Sequence, residues 1–198
     1  WTRVRVLADE PDKLQRDPQA LGGQLFAALQ PELAGAKTSL DLVSAYFVPG
    51  DVGTNALAAA ARRGVRVRVL TNSLAATDVT AAHAGYARHR AALLAAGVRL
   101  FELKPAFAPE APRRRARVGS SQASLHAKTF AIEGRLVFVG SFNLDPRSVR
   151  LNTEIGLLVD SPALAAEMGG VLEQMTPDFA WEVTLDPAGH LHWSDGAR

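Results

Sequence analysis

The sequence predicts an α/β/α sandwich around a mixed, largely parallel sheet. Three observations carry that prediction. Through about the first hundred residues, β-prone runs alternate with helix-like runs, and two of the helices close on a glycine before the next strand, the order expected of parallel βαβ units. Three further β-prone runs crowd into the stretch from residue 124 to residue 160 and supply the middle of the sheet. A chain of 198 residues with 47% hydrophobic and 21% charged residues has the composition of one globular domain able to bury a core, so residues 1–198 are read as a single unit.

Taken in order, Arg3–Ala8 alternates charged or polar residues with Val and Leu and reads as a strand. Asp9–Pro18 is polar and bounded by proline, hence a loop. Gln19–Ala34 carries Leu21, Leu25, Phe26, Leu29 and Leu33 at helical spacing, with Pro31 trimming or kinking its end. Ser39–Phe47 is a buried strand stopped by Pro49-Gly50. Asp51 is placed as the cap of a helix running through Arg63, with Gly64 just past its end. Val65–Leu70 is a β-branched strand. Thr77 or Asp78 caps a helix that runs to about Ala96 and closes on Gly97, and Val98–Leu103 is the next strand. Ser161-Pro162 opens a late helix whose apolar face is Leu164, Met168, Val171, Leu172 and Met175. Glu182–Leu185 and His190–Trp193 flank Asp186-Pro187-Ala188-Gly189 as a closing hairpin.

Residues 104–123 break the pattern. They hold three prolines, Gly119 and the basic run Arg113, Arg114, Arg115 and Arg117, and are read as a long mobile basic loop leading into the stretch 124–154. Such a run is either a solvated charge cluster or a contact for anionic groups. Its position next to His126 favours the second use, with Arg113, Arg114 and Arg115 as substrate-binding candidates.

The stretch SLHAKTFAIEGRLVFVGSFNLDPRSVRLNTE, Ser124–Glu154, carries the chemistry. His126 and Lys128 stand two apart in one β-prone run. Ser141 and Asn143 stand two apart after a second, and Asn152 and Glu154 head a third. Strand side chains alternate faces, so each such pair points one way. Neighbouring strands can thus gather these groups in one pocket suited to a phosphoester. Lys128 supplies a compact positive charge, and Asn143 and Ser141 donate hydrogen bonds to non-bridging oxygens. His126 can attack phosphorus or carry a proton. Glu154 can hold an imidazole through its second nitrogen. Tyr46, at the end of the strand before Pro49-Gly50, borders the pocket, while Phe47 serves the core. Asn152 also suits a plain turn. His83 and His89 are ordinary helix histidines. Arg147 can pair with phosphate or with Asp145 or Asp160. His190 and His192 lack an acidic or thiol companion and make a poor metal site.

The totals exclude several classes. There is no cysteine, so neither disulfides nor thiolate chemistry is available. No HExxH, dense carboxylate cluster, Walker loop or dinucleotide fingerprint occurs, so no cofactor and no metal is expected. No apolar run of about 18 residues is present, so the chain is expected to be soluble. A net charge of +2 gives little long-range steering.

The central stretch resembles the HKD signature of the phospholipase D superfamily, H-x-K-x4-D followed by G-S-x-N and N-x-E. It is matched here by His126-Ala127-Lys128, Gly140-Ser141-Phe142-Asn143 and Asn152-Thr153-Glu154, with Glu133 in place of the signature aspartate. In the family that acid lies outside the reacting pocket and has a structural part. The wording NLDPRS followed by LNTE, together with SAYFVPG, LTNSLAATDV, HAGYARHR and FELKP, resembles the cardiolipin synthase branch. The resemblance implies a bacterial phosphatidyltransferase acting on phospholipid phosphodiesters through a phosphohistidine, without a metal, with two HKD motifs meeting across a pseudo-twofold axis. This chain carries one motif and looks like the second half of such an enzyme, in which His126 is the acid/base. Its expected partners are a phospholipid, an anionic membrane surface, and a second HKD half in a longer parent chain or a homodimer mate. The implied location is peripheral to the inner membrane. Two alternatives stand beside this reading: a homodimeric single-motif phosphodiesterase or nuclease, for which nucleic acid is the substrate, and a non-catalytic domain that binds phospholipid headgroups.

Overall fold

A computed structural model describes residues 2–15, 24–105 and 125–195, apart from the side chains of 174–177. The described strands are β1 (Arg3–Ala8), β2 (Ser39–Ser44), β3 (Arg66–Asn72), β4 (Arg99–Leu103), β5 (Lys128–Ile132), β6 (Leu136–Gly140), β7 (Ile155–Asp160), β8 (Ala180–Leu185) and β9 (Leu191–Ser194). They form one sheet in the order β1-β7-β6-β5-β2-β3-β4-β8-β9. The helices are α1 (Gln24–Ala34), α2 (Gly50–Arg62), α3 (Thr80–Ala87), α4 (Arg90–Ala95), α5 (Pro146–Arg150) and α6 (Pro162–Phe179), with a 3-10 turn at Pro11–Gln15.

The α/β class and the mixed sheet agree with the sequence reading, but the sheet is not largely parallel. Only β2–β3 and β3–β4 run parallel. The other six pairings are antiparallel. The parallel strands are those joined by helical crossovers, which parallel pairing requires. Both flanks are built from antiparallel neighbours, β5–β6 and β8–β9 among them as hairpins, and hydrophobic periodicity does not report strand direction.

Several boundaries also shift. Asp51 lies in the first turn of α2 behind Pro49, with no side-chain cap. The helix expected up to about Ala96 is broken at Arg88-His89 into α3 and α4. Thr77 Oγ1 accepts from the Val79 amide at 3.1 Å, while Asp78 accepts from Tyr46, so neither caps α3. Gly64 and Gly97, both at φ 92°, do close α2 and α4. Ser161 Oγ accepts from the Leu164 amide at 3.3 Å at the start of α6, as its position predicts.

The core lies between the sheet and the helices α1 to α4. Phe130 of β5 stacks on Phe138 of β6 with centroids 5.2 Å apart, and Phe142 meets both edge-on at 6.5 Å. Phe138 is accommodated because β6 and β7 approach through glycines. A Cβ on Gly156 would lie 2.3 Å from the Phe138 ring, and one on Gly140 would lie 2.4 Å from the Ile155 carbonyl. The glycine before Ser141 is thus a packing requirement that brings the Ser141 backbone against Ile155.

The β5–β6 hairpin turns on Glu133-Gly134, both at φ 59°, the conformation favoured in two-residue hairpins but uncommon for a residue with a side chain. The Glu133 carboxylate offsets that strain. Its Oε1 accepts from the amides of Lys37, Thr38 and Ser39 at 2.8, 2.7 and 3.2 Å, and from Thr38 Oγ1 at 3.1 Å. Burial raises its pKa, but these hydrogen bonds outweigh burial and leave it depressed. The carboxylate sits at the end of β5 opposite Lys128 and ties the hairpin to the start of β2. Glu133→Ala should lower stability by about 1–2 kcal/mol, toward the low end for a charge-assisted set that is partly solvent-screened. Glu133→Gln, which keeps the acceptor, should cost less. A depressed carboxylate stabilises the fold above its unfolded pKa and loses that contribution as pH falls through its folded pKa. Denaturant midpoints of Glu133→Ala and wild type should therefore converge in acid, and a constant gap would contradict this account.

Candidate active site

The site forms where β5 begins, β2 and β6 end, and the chain enters β7. Lys128 is the first residue of β5, is buried, and is paired in register with Ser44 of β2. Its Nζ turns back to donate to the His126 carbonyl at 2.7 Å and lies 5.8 Å from the centre of the Tyr46 ring. Burial lowers the Lys128 pKa, while the charges of Glu154, Asp145 and Asp78 pull it back up. The ammonium is therefore a desolvated cation in an acidic surround. His126 precedes the strand, and its side chain is exposed to the solvent from which a substrate would arrive.

Asn143 is buried and fastened at two points. Its Oδ1 accepts from the Tyr46 amide at 3.3 Å, and its own amide donates to Ser148 Oγ at 3.3 Å. That leaves its Nδ2 donors without a partner among the described residues. The end of β2 is held against the same segment, because Val48 N donates to the Leu144 carbonyl at 2.7 Å and Leu144 N donates to Ser44 Oγ at 3.1 Å. Tyr46 therefore stands between Asn143, which its amide meets, and Lys128, which lies over its ring. Its hydroxyl donates to both carboxylate oxygens of Asp78 at 2.9 and 3.0 Å. Burial, then that hydrogen bond, raises the Tyr46 pKa and keeps the phenol neutral.

Glu154 is buried at the entrance to β7. One carboxylate oxygen accepts from Ser141 Oγ, and the other from Asn152 Nδ2 at 3.3 Å. Ser141 Oγ in turn accepts from the Ile155 amide at 3.1 Å. The carboxylate is therefore engaged by Ser141 and Asn152. Among the described residues no hydrogen bond joins it to the His126 ring. Lys128 is tied to the His126 carbonyl and lies beside Tyr46, whose amide holds Asn143, and Ser141 is bonded to Glu154. Arg113, Arg114 and Arg115 lie outside the described residues.

Sequence reasoning missed four residues that build the site. Asp9 and Lys13, read as loop, form a buried ion pair at 2.6 Å. Asp9 accepts from the Glu154 amide at 3.0 Å, and Lys13 Nζ donates to the carbonyls of Ser148 and Asn152 at 2.8 and 2.6 Å. Asn72 reaches the segment before His126, and Asp78 receives Tyr46. Opposite charges four apart in a polar stretch were the available signal for Asp9 and Lys13, but a solvated turn has the same pattern.

Other expectations change as well. His83 is buried, with Nε2 2.6 Å from an Arg90 nitrogen, and burial followed by the Arg90 charge lowers its pKa. Asp145 caps α5 by accepting from the amides of Arg147 and Ser148 at 2.7 and 3.0 Å, and Asp160 pairs with Arg135, so both acids considered for Arg147 are otherwise engaged. His190 and His192 do have an acidic companion: Asp186 lies 3.3 and 3.0 Å from their rings. Among the described residues no three His, Asp or Glu side chains are grouped to hold a metal, and no helix is long and apolar enough to cross a membrane.

Cardiolipin synthase C of Escherichia coli K12 is 43% identical over 197 residues, a span that covers 98% of this chain and 41% of that protein. The chain therefore spans about two fifths of that relative's length. Among solved structures, a phospholipase D family member, NUC from Salmonella typhimurium, superposes with a TM-score of 0.63 at 19% identity, over 93% of this chain and 99% of that one. A phosphatidylserine synthase from Haemophilus influenzae Rd KW20 superposes with a TM-score of 0.65 at 16% identity, over 96% of this chain and 42% of that one. At those identities the likeness establishes the fold. The family model described as cardiolipin synthase, PLD-like domain, matches residues 29–176, most of the chain and all of the site strands, and the chain belongs to that family.

Proposed function

We propose that this single domain supplies one of the two histidine centres of a bacterial phosphatidyltransferase of the cardiolipin synthase type, peripheral to the inner membrane and acting on phospholipid phosphodiesters. The observation that carries the reading is the convergence at one sheet end of a desolvated Lys128, the exposed His126 and an Asn143 whose Nδ2 has no partner among the described residues, in a chain 43% identical to a cardiolipin synthase. In this reading the histidine of a second centre attacks phosphorus, forming a P–N bond as the P–O bond to the leaving alcohol breaks. His126 gives that alcohol its proton. It then takes the proton of the incoming alcohol, whose oxygen attacks phosphorus to form the new P–O bond as the P–N bond breaks and frees the first histidine. Lys128 and Asn143 hold the non-bridging oxygens, where negative charge accumulates. Glu154 favours the cationic forms of its neighbours, as its effect on Lys128 illustrates. No step requires a cofactor or metal. The basic run Arg113–Arg115 is the proposed contact for the anionic lipid surface.

A homodimeric phosphodiesterase ranks behind this reading, because the 43% identity is to a cardiolipin synthase whereas 19% identity to NUC speaks for fold alone. The test is to measure mass in solution and turnover on one sample, offering anionic glycerophospholipid vesicles or single-stranded DNA in EDTA. The isolated domain should be folded and inactive as a strict monomer, and the complete two-centre enzyme should form new lipid phosphodiesters. First-order turnover by a strict monomer would overturn the two-histidine scheme. DNA cleavage by a dimer without lipid transfer would replace the transferase with the phosphodiesterase.

A further inference from the structure

His126 has an exposed side chain, and among the described residues its ring has no hydrogen-bond partner. Its place must therefore be set through the backbone of residues 125–127. That backbone lies just outside regular structure, because β5 begins only at Lys128. β2 stands between β3 and β5 in the sheet, and it ends at Ser44. One further backbone bond continues its pairing, Ala45 N to the Ala127 carbonyl at 3.2 Å. Beyond it the sheet has a gap between the last residue of β3, Asn72, and Leu125.

The Asn72 carboxamide fills that gap. Its Oδ1 accepts from Leu125 N at 2.9 Å, and its Nδ2 donates to the Leu125 carbonyl at 3.0 Å. The same Nδ2 donates to the Ala45 carbonyl at 3.1 Å. A carboxamide has the donor and acceptor of a peptide group, so the side chain stands in for the missing strand residue and grips both polar groups of the residue before His126. Asn72 is 3% exposed, so these bonds act out of competition with water. We infer that Asn72 is a positioning residue for His126: by clasping Leu125 from the end of β3, it fixes where the imidazole is presented. The consequence for turnover rests on the function proposed above; the clasp itself does not.

Asn72→Asp tests this at constant shape. The carboxylate can still accept from Leu125 N, but both donations are lost, and negative charge faces the carbonyls of Leu125 and Ala45. In the 198-residue chain, amide exchange of Leu125 should quicken by at least tenfold and the His126 ring resonance should shift or broaden, while core amides of β2 and β3 keep their protection. Asn72→Ser, which introduces no charge, covers the case in which Asn72→Asp does not fold. Thr71→Val is the control, since Thr71 Oγ1 reaches the Ala45 carbonyl at 3.5 Å but has no bond to Leu125; it should leave both signals unchanged. In the complete enzyme, Asn72→Asp should lower kcat at least tenfold with KM within about twofold. A folded Asn72 variant with native Leu125 exchange and an unmoved His126 resonance would overturn the inference, as would an unchanged kcat. If the wild-type enzyme shows no lipid transfer, the functional reading fails while the exchange and resonance measurements still decide the role of Asn72.

Discussion

Replacing His126 with alanine in the complete enzyme should lower turnover by about 10²–10⁴-fold, the usual loss when a general acid/base is removed. The fold should survive the change. His126 is exposed, and its main-chain carbonyl accepts from Lys128 Nζ at 2.7 Å. Alanine keeps that carbonyl, so Lys128 stays in place and the experiment removes the imidazole alone. Lys128→Met is the informative companion. It deletes the buried charge and the carbonyl contact together, and should damage substrate binding as well as turnover. The measurements are kcat and KM for lipid transfer beside a thermal melt of each variant. A folded His126→Ala enzyme with near-native turnover would remove the chemical role assigned to this domain.

Lys13→Met should destabilise the domain by about 3–5 kcal/mol, the cost of stripping one partner from a buried ion pair. That is a large share of the about 5–15 kcal/mol that holds a typical domain together. The Lys13 and Asp9 side chains are 4% and 1% exposed. All three ammonium protons are used, on Asp9, the Ser148 carbonyl and the Asn152 carbonyl. Without them two carbonyls and a carboxylate stay buried with fewer donors. The effect should reach the active site, because Ser148 holds Asn143 and Asp9 holds the Glu154 amide. Urea unfolding of the domain at constant slope should show the loss, and lipid transfer by the folded fraction of the complete enzyme carrying the same change should also fall. A change below about 1 kcal/mol would mean that Asp9 is adequately satisfied by the amides of Leu25 and Glu154.

The sequence by itself determined the α/β class, most of the strand segments and the list of candidates for the site. Alternation in Arg3–Ala8 marks β1 to the residue, and Ser161-Pro162 marks the start of α6. The i, i+2 spacing of His126 with Lys128 and of Ser141 with Asn143, carried on consecutive strand ends, is local information, and local periodicity survives in a one-dimensional reading. Strand direction was not legible. Burial alternates identically in parallel and antiparallel strands, so only the through-space pairing of β5 with β2 and of β8 with β4 shows that two parallel pairs sit inside an antiparallel sheet. Polar side chains that act through distant backbone were equally hidden. Asp9 and Lys13 look like solvated charges until residues 148 to 154 are folded over them. Asn72 looks like a strand-ending turn residue until Leu125 arrives 53 positions later. In each case the deciding quantity is the desolvation of a polar group and the partner that offsets it, and both exist only after the chain has closed on itself.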